Sequence, residues 1–332
     1  MKIYAFKDPN NKVSSSGGAF PAIIHAIQEI ENEAPIVYGA AFDKDFSVKH
    51  IRTTCQEEYL KLYGSKYVRS AICNCYERVG KDLNNGKPVI FSGTPCQVAG
   101  LENYLKVKGI ERKRFYSVDI VCHGTPKAKV WEQFKKWIEE KEKSKLIEFS
   151  FRYQQARWKS YPIMAHFENG KKYVNSFKLR RYVELFYSDL ILNEGCYKCP
   201  FANTSRNSDV TIGDYWGIRK IVHQFPYKEE VSQILVNTKK GKFIINKLYD
   251  NNRYVICETN IEDAKKYQTT FNNPTSKPMK TEEFWQDFNN LDFESILKKY
   301  AGYNVKGFFK YFFKGFLGET GLLIFIKDIL KI

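Results

Sequence analysis

Two stretches of the chain share one plan: a short apolar strand runs into a turn rich in Gly and Pro that carries a cysteine, and a helix follows. Residues 88–91 lead into Ser92-Gly93-Thr94-Pro95-Cys96-Gln97 and a helix to about Leu105. Residues 115–121 lead into Cys122-His123-Gly124-Thr125-Pro126 and a helix over 128–143. Strands alternating with helices in this way predict parallel pairing, with the strands' C-terminal ends on one edge of a sheet. That edge is where α/β folds usually bind ligands. Thr94 is suited to cap its helix, with Pro95 as the first helical residue. Cys96 then sits in the first turn, where the helix dipole favours a thiolate. Either cysteine alone reads as structural, whereas two at equivalent places point to a shared site.

The remaining periodicity fits the same class. Strands are expected at 2–6, 36–42, 48–53, 209–213, 232–237 and 254–257, and helices at 19–30, 70–83, 179–192 and 242–249. Residues 146–152 and 162–177 read as β structure around the hairpin turn Glu168-Asn169-Gly170. The expected fold is therefore α/β, a mixed, largely parallel sheet with flanking helices. A β-hairpin and helix region and a C-terminal amphipathic helix are added to it. At 332 residues the chain is long for one domain. We expect a catalytic domain over 1–250 and a helical extension over 251–332. Disorder is expected only near 272–281, where Asn, Pro, Ser and Lys cluster.

A third cysteine-bearing stretch runs from Gly195 to Gly217 and opens with Cys196-Tyr-Lys-Cys199-Pro200. A Cys-x-x-Cys turn brings two sulfurs within reach of one ion. With Cys96 and Cys122 it makes four thiolates without need of histidine, a set that suits a 4Fe–4S cluster or a structural zinc. Both metals accept four thiolates, and both stay open on the residues alone. Two of the four stand singly on separate sheet loops at the ligand edge, a placement that favours electron transfer over scaffolding. A nucleophilic Cys96 with His123 as its base is the other chemistry in view, but no orienting residue or oxyanion arrangement accompanies it. Cys55, Cys73, Cys75 and Cys257 read as packing residues; Cys73 and Cys75, two apart on a helix, face different sides and make a poor ligand pair.

Ser14-Ser15-Ser16-Gly17-Gly18 feeds the helix at 19–30, an arrangement that leaves backbone N–H groups for a phosphate or flavin edge, or else is a plain cap. Lys66, in Gly64-Ser65-Lys66, reads as a phosphate or flavin contact or as a solvated loop lysine. The charge balance, 53 − 37 = +16, calls for an anionic partner. No nucleic-acid motif accompanies it and the basic residues are dispersed, so nucleic acid is not expected. The N-terminus shows no apolar leader and no run is long enough to span a membrane, so a cytoplasmic protein with reduced or metal-bound cysteines is expected. The tail, 303–332, sets Phe308, Phe309, Phe312, Phe313 and Phe316 against Lys306, Lys310 and Lys314. Such a helix either lies on a membrane's inner face or docks on the protein's own body.

The ordered motifs SSSGGAF (14–20), VYGAAF (37–42), GSKYVRS (64–70), FSGTPCQVAGL (91–101), VDIVCHGTP (118–126), CYKCPFA (196–202), RNSDVTIGDYWG (206–217) and LVNTKKG (235–241) together resemble the coenzyme F420 hydrogenase/dehydrogenase beta-subunit family. The resemblance covers roughly residues 3–250. It implies an iron–sulfur flavoprotein oxidoreductase that passes electrons between one 4Fe–4S cluster, FAD and a small organic substrate. Many bacterial members look associated with surface-polysaccharide synthesis. On the matching positions Cys96, Cys122, Cys196 and Cys199 become cluster-ligand candidates. Ser15, Ser16, Gly17, Gly18, Gly64, Ser65, Lys66 and Thr94 become flavin-contact candidates. His123, next to a proposed ligand, is the candidate to donate a proton or a hydrogen bond that orients that ligand. Asp214 and Arg206 are the candidates to shape the pocket, with capping or ion pairing the plain alternative for each of the three. The ferredoxin-like cysteine segment found ahead of the motifs in many relatives is not seen, so electrons are expected from a separate donor such as an acidic ferredoxin. The rival readings are a zinc-stapled transferase or binding protein in glycan synthesis and a membrane-surface electron-transfer module.

Overall fold

The structure, a computed structural model, describes residues 2–153, 162–226, 230–309 and 311. Its elements run β1 (Lys2–Lys7), α1 (Ala19–Glu31), β2 (Ile36–Phe42), β3 (Val48–Thr53), α2 (Gln56–Tyr59), α3 (Cys75–Asn84), β4 (Val89–Gly93), α4 (Pro95–Val107), β5 (Phe115–Ile120) and α5 (Ala128–Glu142). There follow β6 (Leu146–Ser150), β7 (Met164–Phe167), β8 (Lys172–Val174), α6 (Phe177–Tyr187), β9 (Val210–Asp214) and α7 (Ile218–Ile221). The chain continues through β10 (Ser232–Val236), α8 (Lys239–Tyr249), β11 (Val255–Thr259), α9 (Ile261–Lys265), α10 (Thr281–Asn290) and α11 (Phe293–Tyr300). Two units interleave along it: Met1–Ala128, Phe151–Tyr161 and Asn193–Ser276 form one, and Lys129–Ser150, Pro162–Leu192 and Lys277–Ile332 the other.

The first unit is built on an eight-stranded mixed sheet of order β11-β1-β10-β9-β5-β4-β2-β3. The pairs β2–β4, β4–β5 and β5–β9 are parallel. β1 is antiparallel to β10, which is antiparallel to β9, so β1 points the same way as those four. Five of the eight strands therefore deliver their C-terminal loops to one edge. The strands β4 and β5 read as apolar runs because both faces are covered. Ile90, Tyr116 and Val118 pack with the inner faces of α1 and α8. Phe91 and Phe115 turn the other way into a core shared with α3 and α4. Each large side chain fully buried in this manner contributes roughly 1.5–3 kcal/mol.

The second unit holds the small antiparallel sheet β6-β7-β8 with α5, α6, α10 and α11. The expected hairpin forms at Glu168–Gly170, where Gly170 takes φ +80° and donates to the Phe167 carbonyl. Trp131 of α5 meets Tyr182 of α6 edge-on, ring centroids 5.4 Å apart. Such pairs add about 0.5–1.5 kcal/mol to the burial itself.

Several expectations are corrected. The helix expected from residue 70 begins at Cys75 because Ala71 is taken up by β3: its N–H reaches the Val48 carbonyl and its carbonyl the His50 N–H. Cys73 then turns through a left-handed φ of 48°. Cys73 and Cys55 are exposed and do not pack, whereas Cys75 is 3% exposed and does. The helix α6 stops at Tyr187, because Asp189 is left-handed at φ 61°. Residues 272–280 carry no regular element, yet Thr275 is tied to the His123 carbonyl. The tail reading falls largely on 310 and 312–332, outside the described residues. No helix among the described residues is long and apolar enough to cross a membrane.

Candidate functional site

The loops that follow β1, β4 and β5, with the Ser/Gly turn, Cys96 and Cys122, leave the sheet at the shared edge. After β1, the loop 14–18 returns against β1 and β10. Gly17 is required there by close approach: a Cβ would lie 2.4 Å from the Phe6 carbonyl oxygen and 2.5 Å from the Ser232 nitrogen. Gly18 precedes α1 at φ 90°, and no side chain caps that helix. The Ser16 hydroxyl faces β10, 3.2 Å from Ser232 Oγ. Ser15 turns the other way, and its Oγ accepts the Ser65 N–H at 2.7 Å. The Ser/Gly turn and the Gly64-Ser65 loop thus meet, although 50 residues separate Ser15 from Ser65. The Lys66 ammonium is turned onto its own loop: it donates to the carbonyls of Lys61, Leu62 and Tyr63 at 3.0, 3.0 and 2.9 Å, holding the loop's shape. Burial pushes this amine down to about 7.

The β4–α4 turn follows the expected cap. Thr94 is the N-cap and Pro95 opens the helix. The Thr94 N–H donates to Gln97 Oε1 at 3.0 Å, and Thr94 Oγ1 stands 3.1 Å from Cys96 Sγ. Gln97 extends this to a network: its Nε2 donates to Ser70 Oγ at 3.0 Å, and Ser70 Oγ lies 2.9 Å from His50 Nδ1. His50 Nε2 is 3.0 Å from the Ser92 carbonyl, which can only accept, so that nitrogen carries the hydrogen and Nδ1 accepts from Ser70. Burial holds this imidazole down to about 4, so it is neutral at pH 7. The signal available in the sequence was the Thr-x-x-Gln spacing of a capping box.

Cys122 stands two residues past β5. Cys196 and Cys199 lie on a short 3-10 turn, Glu194–Lys198, and its flank. That turn is fastened to the β5 loop: the Asn193 side-chain amide donates to the Thr125 carbonyl at 2.6 Å, and the Thr125 N–H reaches Cys196 Sγ at 3.4 Å. Cys122 and Cys199 are each within electrostatic reach of Cys96 and Cys196. Burial pushes the Cys122 thiol up to about 12, and Cys196, Cys96 and Cys199 add to the rise. Cys199 is also raised, chiefly by burial and then by Cys96 and Cys196, while Arg206 pulls it down. Among the described residues no three His, Cys, Asp or Glu side chains close to ligating geometry around one point. The chemistry of the donor set is nevertheless that of a thiolate-bound metal centre: four soft sulfurs, one on each of two neighbouring sheet loops and two on a turn fastened to the second loop.

Two further features were not visible in the sequence as a pair. The side chains of Arg206 and Asp119 are each 1% exposed and stand 3.8 Å apart. Burial lifts the Asp119 carboxyl to about 6, against the pull of Arg206 and the hydroxyls of Thr211 and Ser208. Asp214, at the end of β9, is held by Arg152 at 2.7 Å. His123 is exposed beside Cys122, with its carbonyl accepting from Thr275.

A sequence profile for the C-terminal region of the coenzyme F420 hydrogenase/dehydrogenase beta subunit matches residues 86–262. Among solved structures, a chain of the xenon-derivatised F420-reducing [NiFe] hydrogenase complex from Methanosarcina barkeri aligns with a TM-score of 0.53. The alignment covers 87% of this chain and 93% of that one at 16% identity, so the likeness is one of fold. No curated protein matches the sequence. The profile spans more than half of the chain, from the strand before Cys96 to the last strand of the large sheet, and the chain therefore belongs to the coenzyme F420 hydrogenase/dehydrogenase beta-subunit family.

Proposed function

We propose that the protein is an iron–sulfur flavoprotein oxidoreductase. The observation that supports this reading is that Cys96 and Cys122 follow the neighbouring parallel strands β4 and β5, and that the turn carrying Cys196 and Cys199 is fastened to the β5 loop through Asn193 and Thr125. The four cysteines would hold one 4Fe–4S cluster; Ser15, Ser16, Gly17, Gly18, Gly64, Ser65 and Thr94 would line the FAD site, with Lys66 shaping it from behind. Bound there, the two groups would supply single-electron transfer and its conversion to pairs. The chain's own contribution is position and charge. The Thr125 N–H orients Cys196, and Arg206 opposes the accumulated negative charge. His123, exposed next to Cys122, would hand a proton to a small organic substrate.

The donor is proposed to be a separate, acidic electron-transfer protein. A net charge of +16 favours that encounter and makes it salt-sensitive. Surface-polysaccharide synthesis is the setting the family resemblance suggests.

Anaerobic purification, a visible spectrum and assay of iron, sulfide and flavin test the reading directly. Four irons, four sulfides and one FAD per chain are expected. A colourless protein without iron or flavin overturns it, and stoichiometric zinc without flavin establishes the zinc-stapled alternative instead.

A further inference from the structure

A hydrogen-bonded array of buried side chains ends on the Cys96 sulfur, and its hydrogens can be placed one by one. The His50 Nε2 hydrogen goes to the Ser92 carbonyl, so Nδ1 accepts from the Ser70 hydroxyl at 2.9 Å. Ser70 Oγ in turn accepts from Gln97 Nε2 at 3.0 Å, and the Ser70 carbonyl accepts from the same nitrogen at 3.2 Å. These bonds fix the Gln97 amide with Oε1 towards Thr94, whose backbone N–H it accepts at 3.0 Å. Thr94, Gln97, Ser70 and His50 are all buried, which holds the Thr94 hydroxyl in one place, while Cys96 is exposed. Two acceptors then stand equally near Thr94 Oγ1: Gln97 Oε1 and Cys96 Sγ, each at 3.1 Å. The approach to sulfur is closer than that of the Thr125 N–H to Cys196, 3.4 Å. One hydroxyl hydrogen cannot serve both acceptors. A Cys96 thiol can donate to the Thr94 oxygen and leave that hydrogen with Gln97. A ligating sulfur is a thiolate and only accepts, and bonds to an ionised acceptor are roughly twice as strong as neutral ones, so it draws the hydrogen to itself.

We propose that Thr94 is a positioning residue for Cys96: its hydroxyl hydrogen turns from Gln97 to the Cys96 sulfur and raises the reduction potential of the centre that this sulfur would ligate. The proposal rests on the iron–sulfur reading given above and gives Thr94 a role towards the sulfur besides its place at the flavin. Reduction adds one electron, supplied in the test by a mediator, and the hydrogen stays on the Thr94 oxygen in both states. The added negative charge strengthens the hydrogen bond, so the bond favours the reduced form. Hydrogen bonds to the sulfurs are among the usual determinants of such potentials. Gln97 acts in the opposite sense, because Oε1 competes for the same hydrogen.

The test is a mediated redox titration of purified, iron-loaded protein, followed by the electron paramagnetic resonance signal of the reduced centre. Iron and sulfide are assayed in parallel. Thr94→Val deletes the donor and keeps the shape. It is expected to lower the midpoint potential by about 59 mV, which is about tenfold in the oxidised-to-reduced ratio of a one-electron couple. Thr94→Ser keeps the hydroxyl and stays near the parent value. Gln97→Met keeps the length of the side chain, replaces the competing acceptor by a weak one, and raises the potential. A packing role would instead lower the potential in Thr94→Val and Gln97→Met alike. That result, a fall in Thr94→Ser as large as in Thr94→Val, or unmoved potentials with full iron and sulfide, overturns the proposal. Should Thr94→Val fail to hold iron, Gln97→Met decides it: a potential above the parent supports the proposal, and one at or below the parent overturns it. A parent protein without iron or sulfide overturns the iron–sulfur reading, and this inference with it.

Discussion

Asn193 bonds to Thr125 three times: its side-chain amide donates to the Thr125 carbonyl at 2.6 Å and to Oγ1 at 3.2 Å, and its backbone N–H donates to the same carbonyl at 3.0 Å. Thr125 in turn presents its N–H to Cys196. One residue thereby fastens the turn that carries two candidate ligands to the loop that carries a third. Asn193→Ala removes the two side-chain bonds of this staple and leaves the backbone one. The expected cost is about 1 kcal/mol in urea unfolding. Metal retention in a chelator challenge should fall about tenfold, the scale of effects from groups that orient ligands.

The cysteine series separates ligands from bystanders. Serine at Cys96, Cys122, Cys196 or Cys199 should each bleach the visible absorbance of the loaded protein. Cys73→Ser, at an exposed position, should leave both absorbance and stability unchanged. Cys75→Ser should keep the absorbance but unfold more easily, because it puts a hydroxyl into a 3%-exposed core position. Bleaching by Cys73→Ser as strong as by Cys96→Ser would show the ligand set to be wrong.

Gly17→Ala tests the close approach beneath the Ser/Gly turn. The new methyl would meet backbone atoms of both β1 and β10 at under 3 Å, and neither strand can yield without breaking its ladder. A loss of about 3 kcal/mol or more is expected in denaturant unfolding. Gly195→Ala is the control, since nothing lies within 4 Å of its added Cβ; a change within about 0.5 kcal/mol is expected.

His50 makes the fold acid-sensitive in a defined window. Its folded value is depressed to about 4, against an unfolded value near 6.5. Between these limits the unfolded chain binds more protons, so stability falls as pH falls from about 6.5 towards 4. Two and a half units correspond to roughly 3 kcal/mol at most. His50→Asn should flatten that part of the stability–pH curve relative to the parent, and a parallel slope in both proteins would place the effect elsewhere.

The local units of the fold were legible in the sequence. The strands at 36–42 and 48–53 have the bounds expected of them, and the β4–α4 unit was readable because strand, cap and Pro act within a few residues. The hairpin at Glu168–Gly170 was legible for the same reason. The parallel central strands, with two cysteine loops on one edge, followed from the alternation of strand and helix.

What only the tertiary structure decided was which loops meet across that edge. Sheet order brings Ser65 to Ser15, draws the backbone at Ala71 into a bridge with β3 and so delays α3, and seats Arg206 beside Asp119. None of these carries a local signature. Hydrogen bonding and burial depend on distance in space, and residues this far apart along the chain, from 22 between Lys49 and Ala71 to 50 between Ser15 and Ser65, acquire that closeness only when the strands have taken their places. The sequence by itself determined most of the elements and set Cys96 and Cys122 just past the ends of two of them; the packing of β1, β10, β9, β5 and β4 side by side decided which of the connecting loops meet.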